Sequence, residues 1–171
     1  MDAIAGSYSF FKQEVKGWVK EHFNPSSTIL DVGPGMGTYY NLLQDTYKNI
    51  DAVEIYEPNI KDYKLKEKYS NVYNSDIVDF KYDHYDLIIF GDVLEHLSIE
   101  DAQKVLEYAW ERCNNFIVAV PYCYKQQGRD NKWETHIQDD LTKENVLERY
   151  PQLQLLYGND KYGYYIKKDN L

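Results

Sequence analysis

The stretch STILDVGPGMGTYY, residues 27–40, decides the fold of this chain. It begins with an apolar run of strand length and continues into Gly33, Gly35 and Gly37, after which a helical pattern begins. Glycine adopts positive φ without strain and has no Cβ, so a ligand can lie directly against such a turn. The stretch therefore predicts a first strand, a ligand-binding turn and a helix, at the edge where open α/β sheets bind their ligands.

The rest of the chain alternates between strand patterns and helix patterns. Strand-like runs rich in apolar residues occur at 28–32, 50–55, near Val72, 85–90 and 116–121. Helical patterns occur at 8–23, 38–47, 59–69 and after Ser98, where the expected apolar face is Val105, Leu106, Ala109, Trp110 and Cys113. Strands separated by helices indicate a mostly parallel sheet covered on both faces. The segment 153–168, with a turn at 158–161, predicts an antiparallel hairpin.

Composition and charge exclude several classes of function. The 171 residues, 43% of them hydrophobic, predict a single domain over residues 1–171. A net charge of −9 argues against a large nucleic-acid footprint. There is neither a signal-peptide pattern at the N-terminus nor an apolar run long enough for a membrane span, so we expect a cytoplasmic protein with a small-molecule substrate. Cys113 and Cys123 are expected to be free thiols, and the oligomeric state stays open.

Acidic residues follow the predicted strands at the edge where the glycine turn lies. Asp31 can accept hydrogen bonds from an ammonium group or orient the turn. Glu54, at the end of the second strand, is where a carboxylate binds both hydroxyls of a ribose. Asp76 can bond an adenine amino group while Ile77 packs on the ring, although aspartate at such a position also caps turns. The pattern indicates an adenosine ligand, but Thr38 stands where the dinucleotide fingerprint G-x-G-x-x-G needs glycine.

Taken in order, these segments resemble the class I S-adenosylmethionine-dependent methyltransferases. The matching series is ILDVGPGMG (29–37), AVEIYEP (52–58), NSDI (74–77) and YDLIIFGDVLEHL (85–97), within a resemblance that covers residues 28 to about 121. The resemblance implies a Rossmann-like three-layer α/β/α sandwich. Its seven-stranded sheet would be mostly parallel with an antiparallel C-terminal hairpin, in agreement with the hairpin predicted above.

The resemblance also implies where S-adenosyl-L-methionine would lie. Gly33, Gly35 and Gly37 would lie against its methionine part, and Glu54 would bind its ribose. Asp76 and Ile77 would lie at the adenine, and Phe90 and Gly91 beside the sulfonium end. Acceptor contacts would come from the N-terminal helix and from a polar lid at 122–140. The lid residues suited to a hydroxylated ligand are Tyr122, Gln127, Arg129, Asn131, Trp133 and Glu134.

The predicted reaction is methyl transfer to a small polar acceptor, as in O-methylation of a sugar or metabolite. Since the sulfonium is already activated, alignment supplies most of the acceleration, and a base is needed only where the acceptor loses a proton. His96 and His136 are candidate bases, with a purely structural role as the alternative for each. An NAD-type oxidoreductase and a non-catalytic cofactor-binding protein are the alternative functions.

The segment DVLEH, residues 92–96, suggests a metal site. A single helical turn would place Asp92, Glu95 and His96 on one face, and His136 could add a ligand from the lid. An acid-x-x-Glu-His set resembles the metal ligands of the small-RNA 2′-O-methyltransferases and the ubiquinone-pathway O-methyltransferases, although those have glutamate where this chain has Asp92. Carboxylate and imidazole ligands would suit magnesium or manganese, and a structural turn is the alternative.

Overall fold

The fold is centred on one seven-stranded sheet in a computed structural model that describes residues 8–128 and 130–168. The strands are β1 (Ile29–Val32), β2 (Ile50–Glu54), β3 (Val72–Asn74), β4 (Tyr85–Gly91), β5 (Cys113–Pro121), β6 (Leu153–Gly158) and β7 (Tyr162–Lys167). Their order across the sheet is β3-β2-β1-β4-β5-β7-β6. The pairs among β1 to β5 are parallel, whereas β7 is antiparallel to both β5 and β6. The predicted sheet and its hairpin are confirmed.

Helices cover both faces of this sheet. They are α1 (Lys12–His22), α2 (Thr38–Leu43), α3 (Glu57–Asp62), α4 (Leu65–Lys68), α5 (Ile99–Trp110) and α6 (Lys143–Arg149). Successive residues of a strand point to opposite faces, and β1 shows the consequence. Ile29 packs in one cluster with side chains of α1 and α2, and Leu30 in another with side chains of α5. The predicted three layers are therefore present.

Several helix boundaries differ from the predictions. The first helix begins at Lys12 rather than residue 8, because Phe11 before it has a φ of 55°. The predicted helix 38–47 ends at Leu43, and the predicted helix 59–69 is divided into α3 and α4 by Lys64, whose φ is 52°. A residue in the left-handed region interrupts the helical hydrogen-bond ladder, and side-chain periodicity carries no signal for it.

Two further details concern the second half of the chain. Ser98 Oγ accepts a hydrogen bond from the Asp101 N–H at 3.1 Å, which confirms the predicted N-cap of α5. Cys113 does not lie on that helix, since it begins β5; both cysteines are free, as expected.

The helix α6 was not predicted. Within the described ranges no helix is long and apolar enough to cross a membrane, and the cytoplasmic location stays a prediction.

Candidate functional site

The glycine turn joins β1 to α2 at the carboxyl edge of the sheet. Gly33, Gly35 and Gly37 have φ values of 60°, 51° and 87°, so the predicted positive φ is present at all three. The backbone N–H groups of two of these glycines are already used within the protein. Gly33 donates to the Val53 carbonyl at 2.9 Å and Gly37 to the Pro34 carbonyl at 2.8 Å, because so tight a turn closes on its own backbone. The turn therefore offers close approach rather than free donors.

Glu54 ends β2 beside this turn. Its carboxylate is buried and accepts hydrogen bonds from the Tyr56 N–H at 2.9 Å and from Asn59 Nδ2 at 3.3 Å. Burial raises the pKa of Glu54, against these two bonds and a backbone hydrogen bond from Gly35. The first two strand ends thus meet at one oriented carboxylate, as a ribose site requires.

Asp31 lies fully buried beneath the turn. Its Oδ2 accepts a hydrogen bond from Tyr69 Oη at 2.6 Å, and among the described residues Oδ1 has no hydrogen-bond partner. Burial raises the pKa of this carboxyl to about 7, although the bond from Tyr69 and the charge of Lys12 act against it. A buried acceptor atom without a donor is costly unless a ligand supplies one.

The residues implied for adenine and the sulfonium end differ in how they lie. Asp76 Oδ1 accepts a hydrogen bond from the Val78 N–H at 2.9 Å. Asp76 thus caps the turn after β3, which was the alternative interpretation of this residue. Ile77 is half-buried against the core. The Phe90 ring is fully buried in the core, which leaves its backbone, together with Gly91, at the strand end.

Tyr39 and Lys12 are residues of this edge that the sequence analysis missed. A Cβ built on Gly91 would lie 2.1 Å from Tyr39 Cε2, so the Tyr39 ring covers the end of β4. Lys12 Nζ donates to Tyr39 Oη at 2.9 Å, and burial lowers the pKa of Lys12 to about 8. Tyr39 follows the glycine turn by two residues, which was the available signal. The N-terminal helix was expected near the acceptor, but no sequence pattern indicated that Lys12 contacts Tyr39.

The turn after β4 is not the helical turn that was predicted. Asp92 has a φ of 57° and precedes a single 3-10 turn, Leu94–His96, so the three DVLEH side chains do not share a helix face. Asp92 Oδ1 instead accepts a hydrogen bond from Tyr162 Oη of β7 at 2.7 Å. The prediction of Asp92 as a metal ligand is therefore not supported, since it is not in the group of possible metal ligands that the described residues form.

The other three predicted ligands do come together. Glu95, His96 and His136 each offer a ligand atom within 4.8 Å of the others, and the two imidazole centroids are 4.6 Å apart. His96 Nδ1 lies 3.1 Å from the Thr135 carbonyl and His136 Nδ1 lies 2.7 Å from the Tyr124 carbonyl. Since a carbonyl oxygen only accepts, each Nδ1 carries the proton and each Nε2 keeps its lone pair. We call these three residues the Glu95 cluster.

Burial sets the charge of the Glu95 cluster. It raises the pKa of Glu95 well above its usual range, with the charges of Asp92 and Glu134 acting in the same direction. Among the described residues neither Glu95 carboxylate oxygen has a hydrogen-bond partner. Burial, followed by His136, lowers the pKa of His96 to about 4, so the ring is uncharged at neutral pH. The two imidazoles therefore present unprotonated Nε2 atoms, and the raised pKa of Glu95 favours its neutral carboxyl form.

The sequence profile of the methyltransferase domain matches residues 10–121. This chain belongs to the methyltransferase domain family. The predicted membership of the class I S-adenosylmethionine-dependent methyltransferases is confirmed. This membership favours methyl transfer over the alternative of an NAD-type oxidoreductase. No curated protein matches the chain significantly.

Solved structures of methyltransferases share the fold of this methyltransferase domain. An S-adenosylmethionine-dependent methyltransferase from Clostridium acetobutylicum has a TM-score of 0.71 at 12% identity, over 96% of this chain and 93% of that one. Magnesium protoporphyrin IX methyltransferase from Synechocystis, with bound SAM, has a TM-score of 0.65 at 14% identity, over 95% and 86%. The methyltransferase domain of a bacterial Hen1 protein, CtHen1, has a TM-score of 0.65 at 18% identity, over 92% and 95%.

The segment 122–140, predicted to be a lid, brings one of its predicted acceptor residues within electrostatic influence of Glu54. Glu134 is partly buried, and after burial the charge of Glu54 is the main cause that raises its pKa. Tyr122 instead shares a hydrogen bond with Tyr165 Oη at 2.5 Å, and Asn131 caps the Trp133 N–H at 3.1 Å. Of the remaining predicted lid residues, Trp133 has an exposed ring and Gln127 makes no described side-chain hydrogen bond. Arg129 lies outside the described residues.

Proposed function

We propose that this methyltransferase binds S-adenosylmethionine along the carboxyl edge of β1, β2 and β4 and methylates an oxygen of a small polar acceptor. The glycine turn would lie against the methionine part, with Asp31 Oδ1 toward its ammonium group. Glu54 would bind the ribose, Asp76 and Ile77 would flank the adenine, and the Phe90–Gly91 backbone would lie beside the sulfonium. The observation that carries the assignment is the buried, oriented Glu54 carboxylate at a turn of three positive-φ glycines.

The cofactor supplies a methyl group on an activated sulfonium. The task of the chain is therefore to hold the acceptor oxygen in line and to exclude water. Glu95 and His96 follow Gly91 closely in the chain, at the end of β4 where the sulfonium is proposed, so the proposal places the acceptor beside the Glu95 cluster. Its two unprotonated Nε2 atoms can accept hydrogen bonds from acceptor hydroxyl groups. A sugar or another hydroxylated metabolite, as the sequence predicts, has such groups.

The Glu95 cluster also fits a divalent cation. Its three ligand atoms are close enough together, the Glu95 carboxyl oxygens have no donor among the described residues, and burial lowers the pKa of both imidazoles, which favours their uncharged form. With a pKa of about 4, His96 is a weak base but a ready ligand. A bound magnesium or manganese ion would lower the pKa of an acceptor hydroxyl. Glu95, His96 and His136 would hold it, and Asp92 would not.

A direct test of the acceptor class uses labelled S-adenosylmethionine and a panel of acceptors. We expect transfer to hydroxylated small molecules, and no transfer to RNA or to protein. Transfer to amines alone, or to RNA alone, would contradict the proposed acceptor. With tritium in the transferred methyl group, scintillation counting identifies the products, and mass spectrometry with NMR of each product reports the atom that is methylated.

Replacement of either cluster histidine tests the metal. In His96→Ala and His136→Ala we expect affinity for Mn²⁺ to fall at least about tenfold, since each variant removes one of three ligands. His22→Ala is the matched control, because His22 stacks on Trp18 at the surface of α1. Electron paramagnetic resonance of bound Mn²⁺ and activity after chelation are the measurements. No binding above background in the unaltered protein would limit the histidines to the base or hydrogen-bonding role.

Asp31 makes cofactor binding depend on pH. With a pKa of about 7 the carboxyl is protonated in acid and ionised above neutrality, and only the ionised form attracts an ammonium group. We expect affinity for S-adenosylmethionine to rise by up to about tenfold per unit between about pH 5.5 and pH 7, then level off and decline as the ligand amine deprotonates near pH 8. In Asp31→Asn, calorimetry should show an affinity that no longer rises with pH below neutrality. If the affinity of this variant still rises there as it does in the unaltered protein, Asp31 is not the group that titrates.

A further inference from the structure

A buried glutamine lies behind the Glu95 cluster. Gln138, at the end of the lid, is 4% exposed, although glutamine is usually a surface residue. Its Nε2 donates to the carbonyls of Leu94 at 2.8 Å and Leu97 at 3.0 Å. Its Oε1 accepts from Arg149 Nη1 at 3.1 Å and from Tyr150 Oη at 2.9 Å. Both N–H donors and both lone pairs of the amide oxygen are thereby used, which fixes the side chain in one orientation.

These bonds join three parts of the chain that approach from different directions. The two donated bonds hold the carbonyls of the 3-10 turn that carries Glu95 and His96. The backbone N–H groups of Ile137 and Gln138 both donate to the Glu95 carbonyl, at 2.8 Å and 3.0 Å. The accepted bonds attach the same amide to the end of α6. The lid and the turn after β4 are thus held as one unit.

The orientation of both imidazoles depends on this unit. His136 is two residues before Gln138, and the Thr135 carbonyl that receives the His96 Nδ1–H is three residues before it. If the lid moved away from the turn, His96 would lose its hydrogen bond to that carbonyl, which is the bond that stabilises the Nδ1–H tautomer. The position of the Nε2 lone pair would then no longer be fixed.

We propose that Gln138 is a positioning residue for the Glu95 cluster. Through its donated bonds it holds the lid against the turn Leu94–His96, and so it keeps His96 as the Nδ1–H tautomer with an unprotonated Nε2. The inference rests on the proposed function only in that the cluster faces the acceptor. The positioning itself is a property of the free protein.

The variants separate the two ends of the amide. Gln138→Glu keeps the acceptor for Arg149 and Tyr150 but cannot donate to both Leu94 and Leu97. Tyr150→Phe is the matched control, because it removes one accepted bond and leaves the donated pair. Gln138→Asn keeps the amide but shortens its reach by one methylene, and it carries the same expectation as Gln138→Glu should that variant unfold. Circular dichroism and thermal unfolding establish which variants are folded.

The measurement is the ¹⁵N multiple-bond spectrum of the histidine rings at pH 8, where neutral imidazoles show which nitrogen carries the proton. We expect a single Nδ1–H pattern for His96 in the unaltered protein and in Tyr150→Phe, and a mixture of tautomers in the Gln138 variants. His22, whose Nδ1 lies 2.8 Å from the Trp18 carbonyl, is the internal reference and should not change. A folded Gln138→Glu with an unchanged His96 pattern would overturn the proposal.

Cofactor binding keeps this proposal distinct from the proposed function. Gln138 has no described hydrogen bond to the glycine turn or to Glu54, so we expect the affinity of Gln138→Glu for S-adenosylmethionine to stay within twofold of the unaltered value. Absence of S-adenosylmethionine binding in the unaltered protein would contradict the proposed function alone. The tautomer spectra would still decide the role of Gln138.

Discussion

Glu54→Ala is expected to weaken S-adenosylmethionine binding by about one to two orders of magnitude. The variant removes the carboxylate proposed to accept both ribose hydrogen bonds, and bonds to a charged group contribute about 1.5–3 kcal/mol. Because the variant also removes the acceptor of the Tyr56 N–H and of the buried Asn59 side chain, thermal unfolding is measured beside affinity to separate lost binding from lost folding. Isothermal titration calorimetry of the purified variant measures the affinity.

Glu57→Ala is the matched control for this change. Glu57 lies three residues further along, and its exposed carboxylate pairs only with Lys61 at 2.9 Å among the described residues. An exposed pair contributes little, so we expect binding to stay within about twofold of the unaltered protein. Equal affinity in Glu54→Ala and Glu57→Ala would remove Glu54 from the cofactor site.

Gly91→Ala is expected to disturb both stability and cofactor binding. The new Cβ would lie 2.1 Å from Tyr39 Cε2 and 2.9 Å from Cζ, so the ring must move. Tyr39 cannot move freely, because it is buried and its hydroxyl receives the Lys12 hydrogen bond. We expect a loss of about 1–3 kcal/mol in the free energy of unfolding, as for overpacked cores, and a displaced ring at the proposed sulfonium position.

Gly17→Ala provides the control for this second change. Gly17 lies within α1 and a Cβ there would meet nothing within 4 Å among the described residues. Alanine in a helix interior should stabilise the fold by about 0.5–1 kcal/mol, so the two variants should shift the unfolding midpoint in opposite directions. If Gly91→Ala unfolds with the unaltered midpoint and binds cofactor normally, Tyr39 does not restrict this edge.

The sheet was predictable because its signals are local. The apolar runs, the Ser98 cap and the hairpin turn each depend on a few neighbouring residues, and all three are confirmed. The helix breaks at Phe11 and Lys64 were not predictable, because positive φ at a non-glycine residue is imposed by packing rather than by composition. Asp92 is a further example, at the candidate site. The spacing of DVLEH predicted that three side chains share one helix face, but the Asp92 backbone is in the left-handed region.

The candidate site was predictable where it follows strand ends. Asp31 and Glu54 have the buried positions that the parallel topology gives to such residues. The contributions of Lys12, Tyr162 and Gln138 depend on where α1, β7 and the lid cross the edge, and these segments are remote in sequence from the strands they touch. Only tertiary structure reveals that Tyr162 holds Asp92 and that Gln138 holds the turn beside it.

Calorimetry of the unaltered protein with S-adenosylmethionine, its demethylated product and NADH tests the central claim most directly. We expect micromolar binding of S-adenosylmethionine and of the product, loss of most of that affinity in Glu54→Ala, and no heat with NADH. Binding of NADH without binding of S-adenosylmethionine, or S-adenosylmethionine binding that Glu54→Ala leaves unchanged, would contradict the proposed cofactor site.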